Sequence, residues 1–394
     1  MLKLRLILTA LLLALAFAAC GPQIQTVITV IVTATPGPTG TPTVEQPTPT
    51  WTPVPTITPR PTQAGATPMP EAYNPLTGQF VKDPAVLMRR PLVTKISNES
   101  QEVRPQSGLS FADHVWEYQM EGFQQTRYTA IFYSRAPEQV GSVRSARLID
   151  VHELMFMYDG LLVYSGCSIG VCWQIQNATW GNSRAFREDK IALVRISGVP
   201  REGISLYHTL FALPDKVWSE ANEREVNGRP NLQPMHFDPN PPPKGVTTHE
   251  FVIDYPALGP RHRWEYNEAN RNWLSFTTDQ RQQADEEPDI DFATKKQLAF
   301  DNVVLIYADH SLADYLEDEA NQLSSVEINL QGEGDAVLMR DGKRYNCRWV
   351  RHDIADMIAL VDSSGNPIPL KPGTTWFNVY SANMFQPDVS FSAQ

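Results

Sequence analysis

The chain has 394 residues, of which 42% are hydrophobic, enough for one large domain or for two domains of ordinary size. Its formal net charge is −11, and no run of lysines and arginines occurs along it. This charge balance argues against a nucleic-acid-binding protein and against a polybasic membrane-binding surface.

Residues 1–20 have the plan of a secretory signal peptide. Lys3 and Arg5 precede an apolar run, and small residues then lead to Cys20. The ending resembles a lipobox, in which the cysteine is acylated and becomes the mature N-terminus. We therefore expect a lipoprotein anchored through Cys20 to the outer face of the cytoplasmic membrane. A cleaved signal without lipid and an uncleaved anchor remain the alternatives.

Residues 21–73 are expected to be a disordered stalk. Within residues 36–70 there are 11 prolines and 10 threonines, a composition that cannot bury an apolar core. Such a segment is typical of an extended spacer that holds a folded domain away from the membrane.

The first half of the folded region mixes strands and helices. "RRPLVTKIS" reads as a strand, and apolar residues alternate with polar ones through Trp116, Tyr118 and Met120, which predicts a strand with one polar face. A turn near Gly122 would return the chain as a hairpin and place Arg127 opposite Gln119, between Glu117 and Glu121. A helix is predicted over 143–158, followed by a buried strand at "LLVYSG".

Three cysteines remain after Cys20, namely Cys167, Cys172 and Cys347. An exported protein can hold disulfides, and "CSIGVC" predicts a Cys167–Cys172 bond that leaves Cys347 buried and reduced. The alternative is a reactive Cys167. The histidines are scattered and "HELMF" lacks the second histidine of a zinc motif, so no metal and no cofactor are predicted.

Residues 227–246 are rich in proline and asparagine and are predicted to be a linker. Strand-like segments and Asp-Gly and Ser-Gly turns follow, which predicts a mostly antiparallel β domain over 247–385. Four tryptophans of this half are expected in or beside its core: Trp264, Trp273, Trp349 and Trp376. Aromatic residues on a β face could instead stack on a sugar.

Several uncommon strings occur in an order that resembles the YerB-like lipoproteins, a family with a two-part domain of unknown function. The strings in the first half are "PLTG", "RPQSGLSFADHVWE", "EGFQQTRYTAIF" and "VGSVRSAR"; those in the second are "NVVLIYA", "GEGDAVLMRDGKRYNCRW" and "LKPGTTWFNV". The resemblance covers about residues 74–382 and implies no known reaction. It departs at "YSGCSIGVC", where the family has a histidine and Gly-Gly-Ser. The matching residues are Arg104, Pro105, Gln106, Ser107, Gly108, Ala112, Asp113, Glu117, Glu121, Gly122, Arg127, Val143, Arg144, Ser145 and Arg147.

The sequence thus predicts an α+β protein with five segments. They are a signal peptide over 1–20, a stalk over 21–73, a YerB-like N-terminal α/β domain over 74–226, a linker over 227–246 and a YerB-like C-terminal β domain over 247–385.

Arg144 and Arg147 are unexpected at the start of the predicted helix, because a helix N-terminus already carries partial positive charge. Two explanations remain open. Glu117 or Glu121 could neutralise the arginines in a network that only braces the fold, or an external anion could bind there. The candidate ligand-binding residues are Arg104, Gln106, Ser107, Glu117, Glu121, Arg127, Arg144, Ser145 and Arg147.

The leading hypothesis is a membrane-anchored extracytoplasmic lipoprotein that binds an anionic envelope polymer or a partner protein. The alternative is a cell-wall or carbohydrate-active enzyme with Glu117 or Glu121 as acid or base. A third reading is a scaffold whose arginines brace the fold. A serine hydrolase using Ser107 or Ser145 with His152 or His208 has little support, since no "GxSxG" string occurs.

Overall fold

A computed structural model describes residues 69–99, 101–188, 192–199, 202–256, 259–279 and 285–392. All of these described residues belong to one compact unit. The predicted signal peptide, Cys20 and nearly all of the predicted stalk lie outside the described residues. Within the described ranges, no helix combines the length and the apolar character needed to cross a membrane.

Strands make up most of the regular structure. In chain order they are β1 Tyr73–Asn74, β2 Gln79–Phe80, β3 Leu92–Ile96, β4 His114–Gln119, β5 Thr126–Phe132, β6 Val140–Gly141, β7 Leu161–Val163, β8 Ala185–Phe186, β9 Leu193–Arg195, β10 Leu210–Ala212, β11 Val246–Thr247, β12 Glu250–Asp254, β13 Pro260–Asn267, β14 Asn272–Asp279, β15 Glu287–Pro288, β16 Ala299–Phe300, β17 Asn302–Ala308, β18 His310–Asp318, β19 Leu323–Ile328, β20 Gly332–Arg340, β21 Lys343–Arg351, β22 Ala359–Val361, β23 Thr375–Ser381 and β24 Asp388–Ser392.

The helices are short and lie in the first half of the folded region. A π-helix, Asp150–Leu154, continues into α1, Met155–Met157; α2 is Ile169–Asn177, α3 is Gly181–Arg184 and α4 is Pro214–Glu223. Single 3₁₀ turns cover Pro84–Leu87, Gln101–Val103, Leu109–Phe111, Glu121–Phe123 and Leu206–His208. Ser168 caps α2, because its hydroxyl accepts a hydrogen bond from the Val171 amide.

One central sheet contains strands from both halves of the folded region. Its order is β11-β21-β20-β17-β23-β4-β5-β3-β7-β8, with β22 beside β21. The two halves meet where β23 runs parallel to β4, and β17 also runs parallel to β23. β17, "NVVLIYA", is apolar along almost its whole length because both of its faces are covered, as is typical of strands in the middle of a large sheet.

A second sheet, β15-β14-β13-β12-β24 with β16 beside β14, covers one face of the central sheet. Tryptophans from both sheets meet there: the rings of Trp264 and Trp376 lie 5.3 Å apart. The opposite face packs against the π-helix, α1 and α2. The two-stranded hairpin β18–β19 lies on that same side, against α2.

The sequence predictions for the fold are confirmed at the level of a sheet-rich protein with helices in its first half. The predicted strands at "RRPLVTKIS", "LLVYSG" and "NVVLIYA" are β3, β7 and β17, and all four tryptophans are buried. The second half is mostly antiparallel, with β23 as the parallel exception. Residues 227–246 contact the rest of the fold at a few points, since Met235 N donates to Pro75 O and Arg340 donates to Asp238 O, although half of the segment is exposed.

Candidate functional site

The β4–β5 hairpin carries several of the predicted site residues, and its register differs from the prediction. Arg127 pairs with Tyr118, and Gln119 pairs with Thr126. β4 keeps the predicted alternation of apolar and polar residues, but its polar face is covered as well, because every residue of the strand is buried. The strand lies between β23 and β5, so helices cover one of its faces and the second sheet covers the other.

The segment before the π-helix is extended, which corrects the prediction of a helix from residue 143. Val143 forms a bridge with Ile96, and Arg144 N donates to Lys95 O. Arg147 lies just before the helical residues, and its amide donates to Asp150 Oδ2 at 2.7 Å. The arginines therefore precede the helix, and the acidic side chain in its first turn is Asp150, as the helix dipole favours.

We call Arg127, Arg144 and Arg147, with Glu99, Glu121 and Glu317, the arginine cluster. Arg147 is its best-paired member. It donates to Glu121 through Nε at 2.8 Å and Nη2 at 2.6 Å, and its Nη1 lies 3.2 Å from Glu317. Although burial alone would raise the pKa of Glu121, the charge and hydrogen bonds of Arg147 lower it to about 2.

Arg127 is the least-paired cation of the cluster. Its side chain is almost completely buried, yet Nη2 lies 3.8 Å from Glu99 and Nη1 reaches Ser145 O only at 3.4 Å. Its Nε has no hydrogen-bond partner among the described residues. Burial, together with the charges of Arg147 and Arg144, lowers the pKa of Arg127 to about 9. The guanidinium is therefore held in a place that disfavours its charge.

Arg144 connects this cluster to the solvent. Its side chain is 18% exposed and forms a close ion pair with Glu99, whose side chain is 31% exposed. Although burial opposes the effect, Arg144 and Arg127 hold the pKa of Glu99 below its usual value. Within the described part of the chain, Arg144 Nε and the hydroxyls of Ser97 and Ser142 have no hydrogen-bond partner. These two serines are adjacent, because Ser97 N donates to Ser142 O.

Sequence reasoning missed a buried lysine behind the arginines. Lys95 Nζ lies 3.1 Å from Asp150 Oδ2, and Tyr118 and Thr129 donate to Asp150 Oδ1 at 2.9 and 2.6 Å. Burial lowers the pKa of Lys95 to about 7, and Asp150 opposes that shift. The lysine lies in a buried strand, "LVTKI". A charged residue inside such an apolar run was the only feature of the sequence that could have indicated this buried ion pair.

Glu117 does not face the arginines, because it points to the other side of the central sheet. There it accepts from Thr126 at 2.8 Å and pairs with His262 Nδ1 at 2.8 Å. His262 Nε2 lies 2.8 Å from Ser275 Oγ, which donates to Asp289 at 2.5 Å. We call this buried chain the inter-half network, since it joins Glu117 of the first half to side chains of the second sheet.

Arg104 and Gln106 lie at the edge of the inter-half network and not in the arginine cluster. Arg104 donates to Asp289 Oδ1 at 2.6 Å and to Asn98 Oδ1 at 2.5 Å, and Gln106 Nε2 donates to Ser97 O at 3.2 Å. The structure thus separates the nine predicted residues. It brings five of them together on one face of the sheet, namely Glu121, Arg127, Arg144, Ser145 and Arg147. The other four lie elsewhere: Arg104, Gln106, Ser107 and Glu117.

The geometry does not support a general-acid role for either candidate carboxylate. Glu117 is fully buried, and Glu121 has a pKa of about 2, so it holds no proton to donate near neutral pH. In the described part of the chain no hydrogen bond joins Ser107 or Ser145 to His152 or His208. Ser107 Oγ donates to Gln139 O, and His152, one of the two proposed bases, pairs with Glu327.

Cys167 and Cys172 form a disulfide whose Cα atoms lie 5.3 Å apart, and it spans the start of α2. Cys347 is free and buried, and burial raises its pKa to about 12. In the described ranges no three His, Cys, Asp or Glu residues are grouped so that they could hold a metal ion.

Comparisons with known proteins agree with this architecture. Residues 76–227 match the family model "Protein of unknown function (DUF3048) N-terminal domain", and residues 251–377 match the corresponding C-terminal domain. The chain is 28% identical over 307 residues to a Bacillus subtilis (strain 168) protein named "Putative lipoprotein YerB", covering 77% of this chain and 85% of the relative.

A solved structure shows the same fold. The crystal structure of the YerB protein from Bacillus subtilis aligns with a TM-score of 0.64 at 24% identity and covers 80% of this chain and 99% of the other. The two domain matches lie on either side of the predicted linker, in the order that the sequence strings indicated. The chain therefore belongs to the two-part DUF3048 family, together with YerB.

Proposed function

We propose that the protein is a lipoprotein, anchored through Cys20 outside the cytoplasmic membrane, and that the arginine cluster binds an anionic polymer of the cell envelope. The name of the Bacillus subtilis relative supports the lipid anchor. The binding proposal rests on the residues themselves, and the observation that carries it is the poorly paired Arg127.

A buried guanidinium normally has its five N–H groups paired, because an unpaired buried donor costs about 1–3 kcal/mol. Arg127 has only long contacts and is crowded by two other arginines. An anion at this position would pair Arg127 and offset the repulsion among the three cations. The two unpaired hydroxyls, on Ser97 and Ser142, lie beside the same extended segment and could donate to the same anion.

Glu99 occupies the position where such an anion would enter. It is the partly exposed carboxylate that pairs with Arg144 and lies nearest to Arg127. A phosphate or carboxylate of a polymer would take over these contacts and release Glu99 to water. In this view Glu99 is an internal substitute for the ligand.

The test is calorimetric titration of the purified full-length protein in detergent with inorganic phosphate, polyphosphate and polygalacturonate. We expect saturable binding of at least one polyanion, and Arg127→Met should lose it. Glu99→Gln should bind at least severalfold more tightly, because the competing charge is gone. Arg348→Met is the matched control, since Arg348 of β21 forms an exposed ion pair with Glu333 of β20.

Unchanged binding in Arg127→Met, or no binding of any of these anions by the wild-type protein or by Glu99→Gln, would refute the proposal. Binding of an acidic protein in place of the polymers would show that the partner is a protein.

A further inference from the structure

A polar cavity lies beside the π-helix, and the proposed function does not use it. Its volume is about 420 Å³, within the range of small-molecule sites. Its walls come from the π-helix, from α2 and from the hairpin β18–β19. The lining residues are His152, Glu153, Gln174, Ser311, Leu312, Ala313, Asp314, Tyr315, Glu327 and Asn329.

Two irregular backbone segments face each other across this cavity. One wall is the π-helix Asp150–Leu154, a rare element that is frequent at functional sites. The opposite wall is a bulge in β18, where the pairing with β19 shifts between Leu312 and Leu316. Bulges re-aim side chains next to binding sites, and this one brings Asp314 and Tyr315 to the cavity.

His152 presents a polar atom that the protein does not satisfy. The residue is 7% exposed, and its Nδ1 pairs with Glu327 Oε1 at 2.7 Å. Its Nε2 is buried and makes no well-formed hydrogen bond to any residue that the structure describes, although the Gln174 side chain interacts weakly with the ring. A buried ring nitrogen requires a partner, and a hydroxyl group suits it in either protonation state because it can donate or accept.

The cavity is also acidic. Asp314 and Glu327 both line it, and Glu327 also pairs with His152 Nδ1. Glu153 is held in a buried ion pair with Arg351. No lysine or arginine belongs to the described lining.

Tyr315 adds an aromatic ring to the cavity. The ring lies directly against Gly170 of α2, where a Cβ atom would be 2.1 Å from it. This contact leaves the ring little freedom to move.

From this geometry we infer that the cavity binds a small polyhydroxylated primary amine, the chemistry of an amino sugar with a free amine. The ammonium group would pair with Asp314 and Glu327, and a hydroxyl would bond His152 Nε2. A sugar ring can pack on Tyr315, as rings do on aromatic faces. N-acetylation removes the positive charge, so an acetylated sugar should bind poorly.

The experiment titrates the full-length protein in detergent with glucosamine, N-acetylglucosamine and glucose by calorimetry at neutral pH. We expect saturable glucosamine binding that is at least about tenfold tighter than binding of the other two sugars. Glu327→Gln and Asp314→Asn should each weaken glucosamine binding about tenfold. Glu319→Gln is the matched control, because Glu319 is an exposed carboxylate at the turn of the same hairpin.

Near-ultraviolet circular dichroism checks that each variant is folded. Asp314 is exposed, so Asp314→Asn remains informative if Glu327→Gln disturbs the fold. Equal binding of the three sugars, no glucosamine binding at about 50 mM, or full binding by Asp314→Asn would overturn the inference. Arg127→Met should bind glucosamine normally, so this result is independent of the anion site.

Discussion

Arg147 holds Glu121 with two hydrogen bonds, from Nε at 2.8 Å and from Nη2 at 2.6 Å, across 26 residues of sequence. Paired N–H groups fit a carboxylate, and such bidentate pairs are among the stronger charge-assisted hydrogen bonds. The pair joins the turn of the β4–β5 hairpin to the start of the π-helix. Arg147 is therefore firmly paired, whereas the crowded Arg127 is the residue on which the proposed anion site depends.

The Arg147–Glu121 pair should make the stability of the protein depend on pH in the acidic range. The pKa of Glu121 is about 2 in the folded protein against 4.5 for the free group, so the unfolded chain binds more protons between these values. The free energy of unfolding should therefore fall as pH drops from 4.5 towards 2, by up to roughly 3 kcal/mol from this group. Glu121→Gln should show a smaller fall over that range in urea titrations. Glu333→Gln, an exposed pair member on β20, should behave like wild type; equal slopes in all three proteins would contradict the assignment.

Replacing Arg127 or Arg147 by methionine should have different effects on the free energy of unfolding. Arg147→Met leaves two buried carboxylates without their cation and should cost about 3–5 kcal/mol of unfolding free energy. Arg127→Met removes a cation that its neighbours repel, so it should be neutral or stabilise by up to about 1 kcal/mol. Guanidinium unfolding of both variants measures the difference. A loss in Arg127→Met as large as in Arg147→Met would mean that Arg127 is also a brace.

Lys95 should make the protein more stable at alkaline pH. Burial lowers its pKa to about 7 from 10.5, so between these values the unfolded chain binds more protons than the folded one. The cost of the buried charge is present in full below pH 7 and is relieved as pH rises towards 10.5. Relative to Lys95→Met, the wild type should gain roughly 2–4 kcal/mol over this range.

The measurement is urea unfolding of both proteins at several pH values. Lys216→Met on the exposed face of α4 should keep the wild-type pH dependence. A wild-type protein that gains no stability relative to Lys95→Met would show that Asp150 keeps the lysine charged throughout.

The inter-half network should make the two halves unfold together. His262→Leu would leave Glu117 and Ser275 without their shared partner, at a cost of about 2–5 kcal/mol for two buried polar groups. His249→Leu is the control, because that histidine is partly exposed and lies 3.9 Å from exposed Glu268. Calorimetry should show one transition in the wild type. Two separate transitions would mean that the central sheet does not couple the halves.

Local sequence patterns predicted the parts of this protein that depend on near neighbours. The strands at "LVTKI" and "NVVLIYA", the turn at Asp341 and Gly342 and the proximity of Cys167 to Cys172 all follow from residues within about ten positions of each other. The ordered strings of both halves also indicated the family. The signal peptide and the stalk are likewise predictions from composition, since a short apolar run and a proline-rich tract need no distant partner to be recognised.

The tertiary structure alone decided which charges meet. Glu117 and Glu121 differ by four positions, yet one pairs with His262, 145 residues away, and the other with Arg147. The alternation in β4 indicated two faces but not what covers them, because a sheet face is polar or buried according to the elements that pack on it. The shared central sheet brings β23 against β4, and the helices and the second sheet cover the two faces of β4. A carboxylate read as a surface group therefore becomes part of a buried network.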